Sequence, residues 1–332
     1  MTVSGHATFT AADVELDVSG VVPVDEPCAI AGTVLVPEAP AERPVVVVAL
    51  PGGTYRRRYF DLEPPGRDAY SQAAYFAGRG VAFAAMDYLG GGDSSRPTDG
   101  EVLSMPVLAA AAHEAAQALR AGLEEGRYGA PLAEPLLVGL GWSFGGCISI
   151  VQQGTHGTYD ALAILGHSVL AADAHMGSEV PDDWDSMPEP ARREFVRARN
   201  EAVVGEELAV YHGHGRRGAL QPLYYGESID EELVRYDEEN LHTLVSRSAG
   251  IDVMTPGFAR PFAERVCCPV FLGFGDTDLT LSPRAEGEAY PASDHLTITV
   301  VPGMAHVHNL APTRRVLWDR LLAWLETVRS LA

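Results

Sequence analysis

The segment Leu136–Ile150, LLVGLGWSFGGCISI, puts Ser143 where its hydroxyl could act as a nucleophile. An apolar run ends in Gly141-Trp142-Ser143-Phe144-Gly145, and a small-residue helix start follows. G-x-S-x-G between a strand and a helix forms a tight turn that pushes the serine out of a sheet. Gly141 and Gly145 lack the Cβ atoms that would clash there, and Gly146 lets the helix pack close. Ser143 would then stand at a helix N-terminus, where unpaired N–H groups favour developing negative charge. A serine hydroxyl is a weak nucleophile until an adjacent base takes its proton. Downstream, Gly275-Asp276-Thr277-Asp278 offers carboxylates, and Pro302-Gly303-Met304-Ala305-His306-Val307-His308-Asn309 offers imidazoles.

Two other interpretations of the serine turn compete. One is a Gly-rich strand-to-helix turn with a bystander serine. The other is a nucleotide site, since Gly139-Leu140-Gly141 matches the start of a dinucleotide fingerprint. That fingerprint needs its third glycine at position 144, which is Phe144.

The elements that must position these residues can be traced along the chain. Thr8 to Val22 and Ala29 to Val36 alternate loosely, as antiparallel edge strands do. Val45 to Leu50 (VVVVAL) and Val81 to Asp87 (VAFAAMD) are continuous apolar runs, as expected of strands buried on both faces. Tyr70 to Arg79 and Val107 to Leu123 have helical spacing. With the strand before Ser143, the helix after it and Ala161 to Leu165, strand and helix alternate, which predicts a doubly wound, mostly parallel α/β sheet. From about Ala171 to Arg265 the alternation breaks into acidic runs, arginine pairs and aromatics, and a mainly helical cap is expected there. Strands resume at Pro269 to Phe274 and His295 to Val301. Thr313 to Leu331 closes as a helix, with Val316, Leu317, Leu321, Leu322 and Leu325 at core spacing. The expected division is residues 1–170 and 266–332 as core and 171–265 as cap.

Composition narrows the function classes. The 332 residues are 46% hydrophobic and 21% charged, enough for a packed core with an insertion. A formal charge of −21 argues against a nucleic-acid backbone or an anionic membrane surface as partner. All 24 basic residues are arginine, so lysine chemistry is excluded. The 4 cysteines, Cys28, Cys147, Cys267 and Cys268, show no metal or disulfide spacing, and the last three sit in apolar segments that predict buried free thiols. No leader or membrane-spanning run is visible, and a cytoplasmic protein is expected.

Taken together, the serine turn, GDTD, PGMAH and the glycine loop Pro51-Gly52-Gly53-Thr54-Tyr55 resemble the α/β-hydrolase superfamily, in its Ser, acid, His order. The resemblance implies Ser143 as nucleophile, His306 as base and Asp278 as the acid closing a Gly-x-x-Asp turn. Asp276 is the alternative acid and His308 the rival base. It also implies an oxyanion hole from the Phe144 N–H and a second N–H in the loop after VVVVAL, with Gly53 the first candidate and Thr54 the second. Pro51 stands where relatives often carry histidine. Tyr55, Trp142, Tyr224 and Tyr225 are candidate substrate contacts, and one of Arg56, Arg57 and Arg58 is a candidate anchor for an anionic group. Neither His306 with His308 nor His212 with His214 has a third metal ligand beside it, so no metal and no cofactor are expected.

The expected activity is hydrolysis of a small-molecule ester, lactone or thioester through an acyl-enzyme. C–C bond hydrolysis or acyl transfer on the same residues, and a non-catalytic ligand-binding role, are the alternatives. Oligomeric state is open, a homodimer included.

Overall fold

The structure, a computed structural model, describes residues 8–170, 180–204, 207–213, 221–227, 229–280 and 282–332. Its framework is a sheet of 8 strands. In chain order these begin with β1 (Phe9–Asp17), β2 (Ala29–Pro37), β3 (Val45–Leu50), α1 (Gln72–Ala77), β4 (Ala82–Met86) and α2 (Met105–Glu124). There follow β5 (Leu136–Trp142), α3 (Phe144–His156) and β6 (Ala161–Leu165). The lateral order is β1-β2-β4-β3-β5-β6-β9-β10, with β9 at Val270–Gly275 and β10 at Leu296–Val301. From β4 to β10 all neighbours run parallel, while β1 with β2 and β2 with β4 are antiparallel. The doubly wound sheet with antiparallel edge strands is thus as the sequence predicts.

The continuous apolar strands are explained by cover on both faces. Val46, Val48 and Leu50 of β3 enter one core cluster, while Val45, Val47 and Ala49 enter the other. Alternate side chains leave a strand on opposite faces, so two cores demand an unbroken apolar run. Helices α2 and α3 pack on the first face, and α1 and α9 (Arg314–Leu331) on the second. The buried stripe of α9 is Leu317, Trp318, Leu321, Trp324, Leu325 and Val328. Val316, expected in that stripe, is exposed: it falls one residue short of the helical face that Leu317 opens.

The chain passes from β3 to β4 on one side and then returns across β3 to β5. At such a switch point the loops after two neighbouring strands diverge and leave a crevice at their carboxyl ends. The crevice lies between the loop after β3, which carries Gly53, and the turn after β5, which carries Ser143.

Between β6 and β9 the chain adds α4 (Glu189–Val204), β7 (Tyr211–His212), α5 (Gln221–Tyr225), α6 (Glu231–Asn240), β8 (Val245–Ser246), α7 (Arg247–Met254) and α8 (Arg260–Ala263). The insertion is mainly helical. Its own small core holds Trp184, Val196 and Ile251. Its first residues, from Ala171, lie outside the described residues. Cys28 and Cys147 are buried thiols, but Cys267 is exposed and Cys268 half-buried, because both precede β9 rather than lying in it. Among the described residues no helix is long and apolar enough to cross a membrane.

Candidate active site

Ser143 joins β5 to α3 with φ 54° and ψ −115°. A conformation so rare for an L residue costs about 1–3 kcal/mol and persists only where packing over-determines it. Here the packing is backbone against backbone. A Cβ on Gly141 would overlap the Gly145 carbonyl, and one on Gly145 would overlap the Leu50 carbonyl at the end of β3. The glycine at position 139, which hinted at a nucleotide fingerprint, instead makes room for the ring of Tyr159. Cys147 N–H donates to Ser143 O at 3.1 Å, so the N–H groups of Phe144, Gly145 and Gly146 form a first turn with no acceptor inside the helix.

The loops after β9 and β10 bring the other groups in. His306 Nε2 lies 3.0 Å from Ser143 Oγ, and its Nδ1 lies 2.7 Å from Asp278 Oδ1. The imidazole is fixed at its backbone: His306 N–H donates to Leu223 O at 3.1 Å, and its carbonyl accepts Trp142 Nε1–H at 2.9 Å. Asp278 is buried and accepts on both oxygens. Oδ1 takes His306 Nδ1 and the Leu279 N–H, while Oδ2 takes His308 Nε2 at 2.7 Å and the Gly275 N–H at 3.0 Å. Burial works against the Asp278 charge. The nearby imidazoles of His308 and His306 and their hydrogen bonds outweigh it and hold this carboxyl well below the usual carboxylate range. With Asp278 ionised, His306 Nδ1 must carry the proton, which leaves Nε2 as an acceptor for the serine hydroxyl.

His308 and Asp276 therefore separate from His306 and Asp278 in geometry. His308 reaches the far oxygen of Asp278 rather than Ser143. Asp276 is exposed, and its Oδ2 accepts the Gly303 N–H at 2.9 Å, a turn-capping role.

Of the two loop donors, the Thr54 N–H is already engaged, donating to Tyr88 Oη at 3.0 Å. Burial pushes the Tyr88 phenol up, so it stays a neutral acceptor. Gly53 remains, and it lies directly against Phe144: a Cβ built on it would stand 3.3 Å from Phe144 Cβ.

The four candidate aromatics divide. Tyr224 is half-buried, and its ring meets His306 edge-on at 5.2 Å. Trp142 is buried, stacked on Tyr59 at 3.9 Å. Tyr55 and Tyr225, expected as substrate contacts, are buried and send their hydroxyls to Asp237. Arg57, expected among the anion anchors, is a structural ion-pair residue bound to Asp87 at 2.5 Å and Asp93 at 2.8 Å. Asp61, four residues on in the sequence, accepts from Ser71 instead. A groove of about 690 Å³, walled by Tyr70, Tyr75, Arg79 and Arg315, includes none of the residues around Ser143. His212 is half-buried beside Gly250, and His214 lies outside the described residues.

Sequence reasoning missed Tyr59, Tyr88, Asp237 and His242. Tyr88 could have been found, since it directly follows a buried strand on the carboxyl edge. Asp237 and His242 lie in a stretch with no pattern to mark them.

No protein-family model and no curated protein matches the chain. Solved structures do. A bromoperoxidase from Bacillus anthracis is 16% identical with a TM-score of 0.59, covering 95% of this chain and 100% of that one. A proline iminopeptidase from Mycobacterium smegmatis is 14% identical with a TM-score of 0.60, covering 96% and 99%. An esterase from Thermogutta terrifontis is 14% identical with a TM-score of 0.52, covering 96% and 99%. The chain has the α/β-hydrolase fold, with the sheet, the strand-to-helix serine turn and the Ser, acid, His order together.

Proposed function

We propose that the chain is a serine hydrolase that cleaves a carboxylic ester, lactone or thioester through an acyl-enzyme. The observation that carries this is the hydrogen-bonded line from Ser143 Oγ through His306 to Asp278, ending at a strained turn beside first-turn N–H groups that have no acceptor inside the helix. In this mechanism Ser143 Oγ attacks the acyl carbon and its proton passes to His306 Nε2. Asp278, held ionised, stabilises the imidazolium. The carbonyl oxygen becomes an oxyanion and accepts from the N–H groups of Phe144 and Gly53. His306 then gives its proton to the leaving group, and water, deprotonated by the same imidazole, attacks the acyl-enzyme and regenerates Ser143.

The insertion forms the substrate wall over this centre. Its Tyr224 ring meets His306 edge-on, and an aromatic face there suits an apolar acyl or aryl group. The test is a panel of chromogenic acyl esters of graded chain length, with lactones and thioesters beside them. Turnover of at least a small activated ester is expected, and Tyr224→Ala should alter the ranking by chain length more than the rate on acetate. A protein that releases no product from any member is not this hydrolase.

A further inference from the structure

One carboxylate of the insertion reaches both sides of the candidate site. Asp237 of α6 is buried, and its Oδ2 accepts Tyr55 Oη–H at 2.9 Å and Tyr225 Oη–H at 2.5 Å. His242 Nε2 approaches the same oxygen at 3.4 Å, while its Nδ1 lies 3.2 Å from Thr54 O. Tyr55 belongs to the loop that carries Gly53. Tyr225 ends α5, whose Leu223 and Tyr224 carbonyls accept the His306 and Val307 N–H groups at 3.1 and 2.8 Å.

The loop needs such a hold. Thr54 has φ 64°, a left-handed conformation that a β-branched residue rarely adopts. Residues of the insertion bind it on each side. Thr243 N–H donates to Thr54 O at 2.8 Å and Arg56 N–H donates to Leu241 O at 3.0 Å. Tyr55 forms an isolated bridge with His242, and its ring packs on His242 at 4.6 Å and on Trp142 at 4.8 Å. The Tyr55 hydroxyl is the far end of that ring, so Asp237 anchors the lever whose other end sets the Gly53 peptide.

We infer that Asp237 is a positioning residue: it fixes the loop bearing Gly53 against Phe144 and, through α5, the chain bearing His306. The α5–β8 part of the insertion is then a built wall of the site rather than a lid free to swing. Asp237, Glu238 and His242 could also gather ligand atoms within 4.8 Å of one another, as for a metal ion. Two phenol donors on Asp237 Oδ2 make that oxygen a hydrogen-bond acceptor already, and the loop-setting role uses it as such.

The catalytic consequence rests on the serine-hydrolase proposal, whereas the positioning itself does not, and the experiment reads the two apart. Asp237→Asn, Tyr55→Phe and the double variant are compared with the parent by kcat and KM on an activated acetate ester, and by backbone amide exchange. Each single change should lower kcat about tenfold or more with KM within about twofold, since a misplacement of about 1 Å can cost a hundredfold. The double variant should be no worse than the poorer single one, because the two residues act as one unit. Amide exchange in residues 52–57 should quicken while that of β3 and β5 stays unchanged. Unchanged exchange in residues 52–57, equal quickening throughout the chain, or losses that multiply would each overturn the inference. If Asp237→Asn does not fold, Tyr55→Phe carries the same exchange readout. A parent protein without esterase activity rejects the hydrolase proposal alone, and exchange still decides the role of Asp237.

Discussion

Two regions of the site are each built around a buried carboxylate, and they are assembled in different ways. Asp278 lies on the loop after β9 and takes its imidazoles from positions 28 and 30 residues away, on the loop after the neighbouring strand β10. Asp237 lies in the insertion and takes phenols from 12 and 182 residues away, one of them on the loop after β3. The fold itself delivers the first group, because parallel strand ends converge on one edge. The second depends on how an irregular segment docks. A general base can therefore be set by the sheet, while the donor opposite it is set by what covers the sheet.

The sharpest way to break the first half of that comparison is to remove the Asp278 charge. Asp278→Asn and His306→Ala should each lower kcat by about 10³- to 10⁴-fold, and the double variant should be little worse, since the three residues act as a unit. Steady-state kinetics on the best ester of the panel reads this directly.

His308 shares the carboxylate without reaching the serine, so it should count for less. His308→Ala removes one donor from a charged acceptor, an effect of about 1.5–3 kcal/mol, or roughly tenfold to a hundredfold in kcat with KM unchanged. A loss equal to that of His306→Ala would mean the two imidazoles are interchangeable and would contradict the geometry.

A third buried group, His167, sits at the end of β6 where the insertion begins. Burial first, and then His306 nearby, lowers its imidazole to about 4. The unfolded chain, with a histidine near about 6.5, binds the proton that the folded chain refuses, so this group costs stability as pH falls from about 6.5 to 4. Asp278 acts with the opposite placement: its depressed carboxyl stabilises the fold above about 4 and that contribution is lost only at lower pH. Urea unfolding at pH 7 and pH 5 should show His167→Asn losing less stability on acidification than the parent. An equal loss would remove His167 from the balance. The smallest effect belongs to Asp276→Ala, within about 0.5 kcal/mol in stability and about twofold in kcat, because it touches only an exposed turn.

The contrast between the two carboxylates also explains what could be read without coordinates. VVVVAL, VAFAAMD and ALAIL announced buried parallel strands because double cover leaves no room for a polar side chain. Gly141, Ser143 and Gly145 announced the turn because backbone contact there tolerates no Cβ. Asp278 and His306 stood at strand ends with recognisable turns. Nothing comparable marks Tyr55 or Tyr225. An aromatic residue that packs with its hydroxyl on a buried acid has the same letter as one that grips a ligand, and only the partner 182 residues away, Asp237, tells them apart. Arg57 is similar: its nearest sequence acids, Asp61 and Glu63, are bypassed for Asp87 and Asp93 across the sheet edge. Val316 and Cys267 show the finer limit, where apolar character alone fixes neither which side of a helix faces solvent nor where a buried strand begins.

The central claim is that Ser143 is a nucleophile activated by His306. The most direct test is to treat the intact protein with a fluorophosphonate and locate the adduct by peptide mass spectrometry, alongside Ser143→Ala. One phosphonyl group per chain is expected on Ser143, with activity lost in proportion. Ser143→Ala should take up no label and lose about 10³-fold or more in kcat while melting like the parent. Label on another residue, or near-normal turnover by Ser143→Ala, would contradict the account.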